Sequence, residues 1–193
     1  MSVEESEGTR ATLLRAAAQL LEREGVAAVA LRAVGAQAGV SRTAPYRHFA
    51  DKVALLSALA AADLYRLRDA LATAADGIED TLARLEAMTQ AYVAFALVEP
   101  QRHRLMFGGG QRKREHADMQ QAGKAALEVL VGAVAHARRA GTLPGAEPAP
   151  LAALLWSTGH GVADLTLAGY TEPVKGLGDP ASLLHLLLAQ LRR

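Results

Sequence analysis

Apolar positions recur along this chain at spacings of three and four over most of its length. Leu13, Ala17, Leu20 and Leu21 carry the first such stripe. Gly25 closes it, which predicts a helix over 9–24 behind a polar, disordered tail at 2–8. A short helix fits 31–38, ending at Gly39, and a third fits 42–49. Asp51 is placed to cap a longer fourth helix, in which Val53, Leu55, Leu56, Leu59, Leu64 and Leu67 are apolar and which Gly77 breaks. Thr81 to Val98 is amphipathic, and Pro100 ends or restarts it. Helices over 115–140, 149–169 and 180–192 complete a count of nine, with "FGGGQRKREH" and "TLPGAEPAP" as connections. No stretch alternates with period two, so the pattern predicts an all-α fold. A small N-terminal domain spans 9–52 and a larger helical one spans 53–193.

Composition agrees with that reading. Half of the 193 residues are hydrophobic and only 4% are aromatic, a balance that favours helix over strand. The absence of cysteine excludes disulfides, thiolate catalysis and Cys-based zinc sites. The opening "MSVEESEGTR" is acidic and unlike a signal peptide, and the longest apolar stretches, "LVGAVA" and "APLAALLW", are too short to span a bilayer. A cytoplasmic protein with no membrane partner is expected.

The charge is uneven. Gly8 to Lys52 holds Arg10, Arg15, Arg23, Arg32, Arg42, Arg47 and Lys52 against Glu22, Glu24 and Asp51, a local net charge of +4 in a chain of net +1. A local basic patch suffices to bind phosphate. Two short helices joined by "AGVS" form a helix-turn-helix, in which Gly39 takes a positive φ and Ser41 caps the second helix. On an ideal helix started at Arg42, the residues Arg42, Thr43, Tyr46 and Arg47 fall within about 140° of one another. Ala44, Pro45, His48 and Phe49 fall on the opposite side. Proline therefore lands on the inner face, at the expected loss of one bond to the Ser41 carbonyl.

The segment "LRAVGAQAGVSRTAPYRHFADKVALLSAL" resembles the DNA-binding segment of the TetR/AcrR family of bacterial transcriptional regulators. The resemblance covers roughly residues 9–60. It implies a three-helix DNA-binding domain on a C-terminal ligand-binding and dimerisation domain. Carried over position by position, it puts Arg32 on the backbone or a base edge, Arg42 and Thr43 on bases, and Tyr46, His48 and Lys52 on phosphates. Arg47 completes the outward face, and Ser41 caps the helix and touches phosphate. An outward arginine suits guanine O6 and N7, and a threonine methyl suits the thymine methyl. Gly35 stands where the family usually has alanine, and no Ser, Thr or Asp precedes helix two as a cap.

Further on, "LMFGGG" and "WSTGHGVADL" resemble a TetR subgroup with a Trp-x-x-x-His-Gly motif, matched by Trp156, His160 and Gly161. Met88, Tyr92, Phe95, Met106, Phe107, Trp156 and His160 are candidates for lining an effector pocket, against the plainer reading that they fill a helical core. Leu151, Leu155, Leu165, Leu184, Leu187, Leu188 and Leu191 are candidates for a homodimer face, since two helices carry more apolar surface than one core needs. A ligand-responsive regulator, a repressor that binds a palindromic operator on double-stranded DNA as a homodimer and is released by a small-molecule effector, is the reading that follows. An enzyme is not expected. The six histidines form no HExxH or other metal spacing, and there is no nucleophile elbow, phosphate loop or dinucleotide fingerprint. No catalytic residue, metal or cofactor is assigned. A helical ligand-binding or interaction protein without DNA binding is the alternative, and it leaves the outward face of 42–47 unexplained.

Overall fold

The computed structural model describes residues 3–108, 116–143, 145, 147–171 and 178–191. Within them lie nine helices and no strand: α1 (Val3–Glu24), α2 (Leu31–Gln37), α3 (Ala44–His48), α4 (Lys52–Ala75), α5 (Thr81–Val98), α6 (Pro100–Phe107), α7 (Ala117–Arg139), α8 (Pro148–Leu167) and α9 (Pro180–Gln190). None of the described helices is long and apolar enough to cross a membrane. The central part of the "FGGGQRKREH" loop, 109–115, lies outside the described residues.

The chain packs into two compact units, and neither is one continuous stretch. The first comprises Met1–Leu64 and Glu99–Ala122; the second comprises Tyr65–Val98 and Gly123–Arg193. Helix α6 thus belongs with α1–α3 and the start of α4, whereas a divide at 52/53 would place it with the C-terminal helices.

In the first unit, α1 is the axle. Its stripe of Leu13, Ala17, Leu20 and Leu21 is buried, as are Val29, Leu31, Val34, Phe49 and Leu55. Helices α2, α3 and α6 all pack on α1. The helix starts at Val3 rather than Thr9, so residues 3–8 are helical and not a tail. An acidic segment is favoured at the positive end of a helix. Arg10 lays its guanidinium over the Phe49 ring at 5.6 Å, closing the far end of the core.

The corner between α2 and α3 is tighter than an ideal helix from residue 42 would make it. Gly39 adopts φ 67°, as the turn requires. Helix α3 begins at Ala44 with Thr43 as its N-cap residue, and no side chain caps it. Ser41 is therefore not the cap. Its hydroxyl lies 3.4 Å from the Thr43 hydroxyl, and its carbonyl accepts from the Ala44 amide at 3.1 Å. That bond removes the expected cost of Pro45. The proline is the second residue of α3, where amides have no helical partner in any case, so no bond is lost. The Pro45 ring is buried against bare backbone: a Cβ built on Gly35 would lie 2.8 Å from Pro45 Cγ. Helix α2 lacks a side-chain cap, as its sequence implies. Asp51 does cap α4, accepting from the Ala54 amide at 2.8 Å.

In the second unit, α5 is central. It packs most extensively on α8 and also on α9, and α8 touches α9. Asp80 caps α5 by accepting from the Leu82 and Ala83 amides, and Asp179 caps α9 by accepting from Ala181 and Ser182. Leu82, Leu85, Met88, Tyr92, Val93 and Ala96 on α5 are buried, as are Leu155 and Val162 on α8 and Leu184 and Leu188 on α9.

Candidate nucleic-acid interface and helix-pair cluster

The outer surface of the first unit gathers the basic and hydroxyl side chains of the α2–α3 corner. Arg42, Thr43, Tyr46 and Arg47 are all exposed, Tyr46 to 58%. Pro45 and Phe49 are buried, while Ala44 and His48 are half-buried. Exposure therefore divides the segment along the line that the helical angle draws. Arg32, the second residue of α2, is exposed as well. Among the described residues, no acidic side chain pairs with Arg32, Arg42 or Arg47. Three uncompensated guanidinium groups and a phenol on one surface present donors for phosphate and base edges.

Two residues of the corner have inward ties. His48 ends α3 with its ring tilted at 6.4 Å from the Phe49 ring. Lys52 donates from Nζ to the carbonyls of Val26 at 2.8 Å and Ala27 at 3.2 Å. It thus pins the α1–α2 loop to the start of α4, and two of its three hydrogens are already engaged. This tie between residues 26 apart carries no local sequence signal.

The Trp-x-x-x-His spacing brings Trp156 and His160 to one face of α8, where both meet Tyr92 of α5. The Tyr92 and Trp156 rings stand edge-on with centroids 5.1 Å apart, and those of Tyr92 and His160 are 6.3 Å apart. Tyr92 Oη lies 3.0 Å from His160 Nδ1, and His160 Nε2 lies 3.4 Å from Asp164 Oδ2. Burial first, and the Asp164 charge second, hold the Tyr92 phenol far above its ordinary range. The phenol therefore stays protonated and shares a hydrogen bond with Nδ1, while Nε2 lies on the Asp164 side of the ring. Gly159 lets the helices approach: a Cβ there would lie 3.3 Å from Thr89 Cγ2 and 3.4 Å from Tyr92 Cδ1. Gly161, the glycine of the motif, has no such neighbour within 4 Å. Asp164 and Gly159 were missed by the sequence reading, although both sit at helical spacing from His160 or Trp156.

The remaining pocket candidates divide. Met88 is buried on α5, and Phe95 is half-buried with the Arg66 guanidinium over its ring at 5.5 Å. Met106 and Phe107 lie on α6 in the other unit, Met106 buried and Phe107 5.1 Å from the His103 ring. The expected dimer residues divide too. Leu155, Leu184 and Leu188 are buried in their own unit, because α8 and α9 turn them onto each other and onto α5. They are therefore withdrawn from the dimer face. Leu165 is exposed, while Leu151, Leu187 and Leu191 are half-buried. Leu154 and Leu186, on the same two helices, are half or more exposed.

Comparison with known proteins finds two family models along the chain. Residues 13–59 match the family model described as bacterial regulatory proteins, tetR family. Residues 85–191 match that of the tetracyclin repressor-like C-terminal domain. Among solved structures, the chain is similar to a protein of unknown function from Rhodococcus sp. RHA1, with 31% identity, a TM-score of 0.82, and coverage of 96% of this chain and 94% of that one. It is similar to a TetR-family transcriptional regulator from Pectobacterium atrosepticum at 26% identity and a TM-score of 0.70, covering 99% and 94%. The fold is also that of the transcriptional regulator FadR from Bacillus subtilis, solved with stearoyl-CoA, at 13% identity and a TM-score of 0.74, covering 94% and 97%. No curated protein matches the chain.

Proposed function

The chain belongs to the TetR family of bacterial regulatory proteins, and on that premise we propose that it is a cytoplasmic, ligand-responsive repressor that binds a palindromic operator as a homodimer. The observation that carries this reading is the exposed, acid-free face of Arg42, Thr43, Tyr46 and Arg47. Arg42 and Thr43 read base edges, Tyr46, Arg47 and Arg32 hold phosphates, and Lys52 supports the loop behind them while offering its remaining hydrogen. Ser41 and His48 flank the same surface.

A dimer forms through α8 and α9, with Leu151, Leu154, Leu165, Leu186, Leu187 and Leu191 across the two-fold axis. Two recognition helices then meet successive major grooves about 34 Å apart. A small apolar molecule with one polar group is the effector. It is held in the second unit around Met88, Phe95 and Trp156, and its polar group meets the His160–Asp164 edge. It acts by preferring a form of the dimer whose helices miss that groove spacing. Selection of bound sequences from a random DNA library tests the reading. A consensus with two-fold symmetry and half-sites one helical turn apart is expected, and recovery of no consensus would refute it.

A further inference from the structure

Helix α6 begins on a proline and has no side-chain cap of its own. Its cap comes from elsewhere: the Arg102 amide in its first turn donates to Glu22 Oε1 at 2.8 Å. Helix α1 thus caps α6 across 80 residues of sequence, with a carboxylate at the positive end of the helix. The side chain of the same residue reaches the other way. Arg102 Nε donates to Asp63 Oδ2 at 3.0 Å, Nη2 to Asp63 Oδ1, and Nη1 to Glu99 Oε1 at 2.8 Å. Asp63, on α4, is fully buried, and the Arg102 side chain is only 13% exposed. Burial alone would lower the Arg102 pKa, but the hydrogen bond and charge of Asp63, followed by Glu99, outweigh it and raise it. A buried pair of this kind adds little net stability over an apolar one, but its planar fork fixes geometry.

Residue 102 therefore joins three helices of one unit: α1 through its amide, and α4 and its own α6 through its guanidinium. Helices α2 and α3 pack on α1, so whatever fixes α1 against α4 and α6 also fixes the outward face of α3. Recognition geometry tolerates errors of only about 0.5 Å or roughly 10–20°. We infer that α6 is a working part of the DNA-binding unit, and that Glu22 and Arg102 are positioning residues for DNA recognition although neither belongs to the outward face. This rests on the DNA-binding reading above.

The test uses the full chain and its Glu22→Ala, Glu22→Gln and Arg102→Lys variants. Each is followed by thermal unfolding and by titration with two DNA fragments of equal length, one flanking the protein's own gene and one unrelated. Glu22→Gln keeps an acceptor for the Arg102 amide and is expected to bind the flanking fragment within about twofold of the wild type. Glu22→Ala removes that acceptor, and Arg102→Lys keeps a cation beside Asp63 but not the fork. Both are expected to lose about tenfold for the flanking fragment, to bind unrelated DNA as the wild type does, and to stay folded at the assay temperature. Wild-type affinity in both variants overturns the inference. So does an equal loss on both fragments that tracks the folded fraction, because it marks a role in folding alone. Should Arg102→Lys unfold, the Glu22 pair decides by itself. A wild-type chain with no preference for the flanking fragment would instead remove the DNA-binding reading, which is a separate failure.

Discussion

A charged side chain near an interface has two uses, and distance separates them. Arg42 and Arg47 have no partner among the described residues, and their residue types and angles on a helix were enough to single them out. Lys52 looked equivalent in the sequence, yet its Nζ donates to two carbonyls of the α1–α2 loop. Hydrogen bonds to a charged group contribute more than neutral ones, and solvent at this site screens part of that. Lys52→Ala is therefore expected to lower stability by about 1 kcal/mol in urea unfolding, in addition to weakening binding to all DNA sequences. Tyr92 carries a pH signature. Its phenol is held above the ordinary range, so at alkaline pH the unfolded chain gives up a proton that the folded chain keeps. Stability should therefore fall as pH rises past about 10, with no pH dependence from this group below about 9. Urea titrations from about pH 8 to 11 check this, and Tyr92→Phe should remove the slope while costing roughly 1 kcal/mol at neutral pH for the lost bond to His160.

At the scale of elements, the helices that announce themselves are those whose ends carry punctuation. Thr81–Val98 was legible to the residue because its amphipathic run is closed by Pro100. The start of α1 was not legible, because an acidic polar run reads equally as tail or as helix. The length of α3 was also overestimated. Its first turn is set by the Ser41 carbonyl and the Ala44 amide, a tertiary choice made where the Pro45 ring meets bare Gly35. The pairing of α5 with α8 was half legible. The spacing of Trp156 and His160 put them on one face, but the partner Tyr92 lies 68 residues from His160. Close approach of the pair depends on Gly159. Gly159→Leu is expected to destabilise the protein by roughly 1–3 kcal/mol through overpacking against Thr89 and Tyr92, as measured by chemical denaturation.

At the scale of the molecule, the all-α class and two-part organisation followed from periodicity and from the corner motif, but the contacts of α6 with α1 and α4 did not. Its ties to Glu22 and Asp63 span 80 and 39 residues, and contacts at such separation leave no periodic trace. Which leucines the proposed dimer would use was likewise hidden, since α8 and α9 are apolar on more than one side and only packing selects the outer one. The two classes separate by experiment. Leu186, 58% exposed, changed to Glu should yield a folded monomer in light scattering at micromolar concentration. Leu188→Ala should keep the dimer but lose about 2–5 kcal/mol of stability, since Leu188 fills its own core. A Leu186→Glu chain that remains dimeric would move the two-fold face elsewhere.

In the proposed function, the face of Arg42, Thr43, Tyr46 and Arg47 reads DNA sequence. Anisotropy titration of DNA flanking the gene, over a series of salt concentrations and against unrelated DNA, addresses this role most directly. Tighter binding to the flanking fragment is expected, with log affinity falling linearly with log salt. Arg42→Ala is further expected to lose about 1–3 kcal/mol of that preference while retaining binding to unrelated DNA. Equal affinity of the wild type for both fragments, or an unchanged preference in Arg42→Ala, would contradict this role.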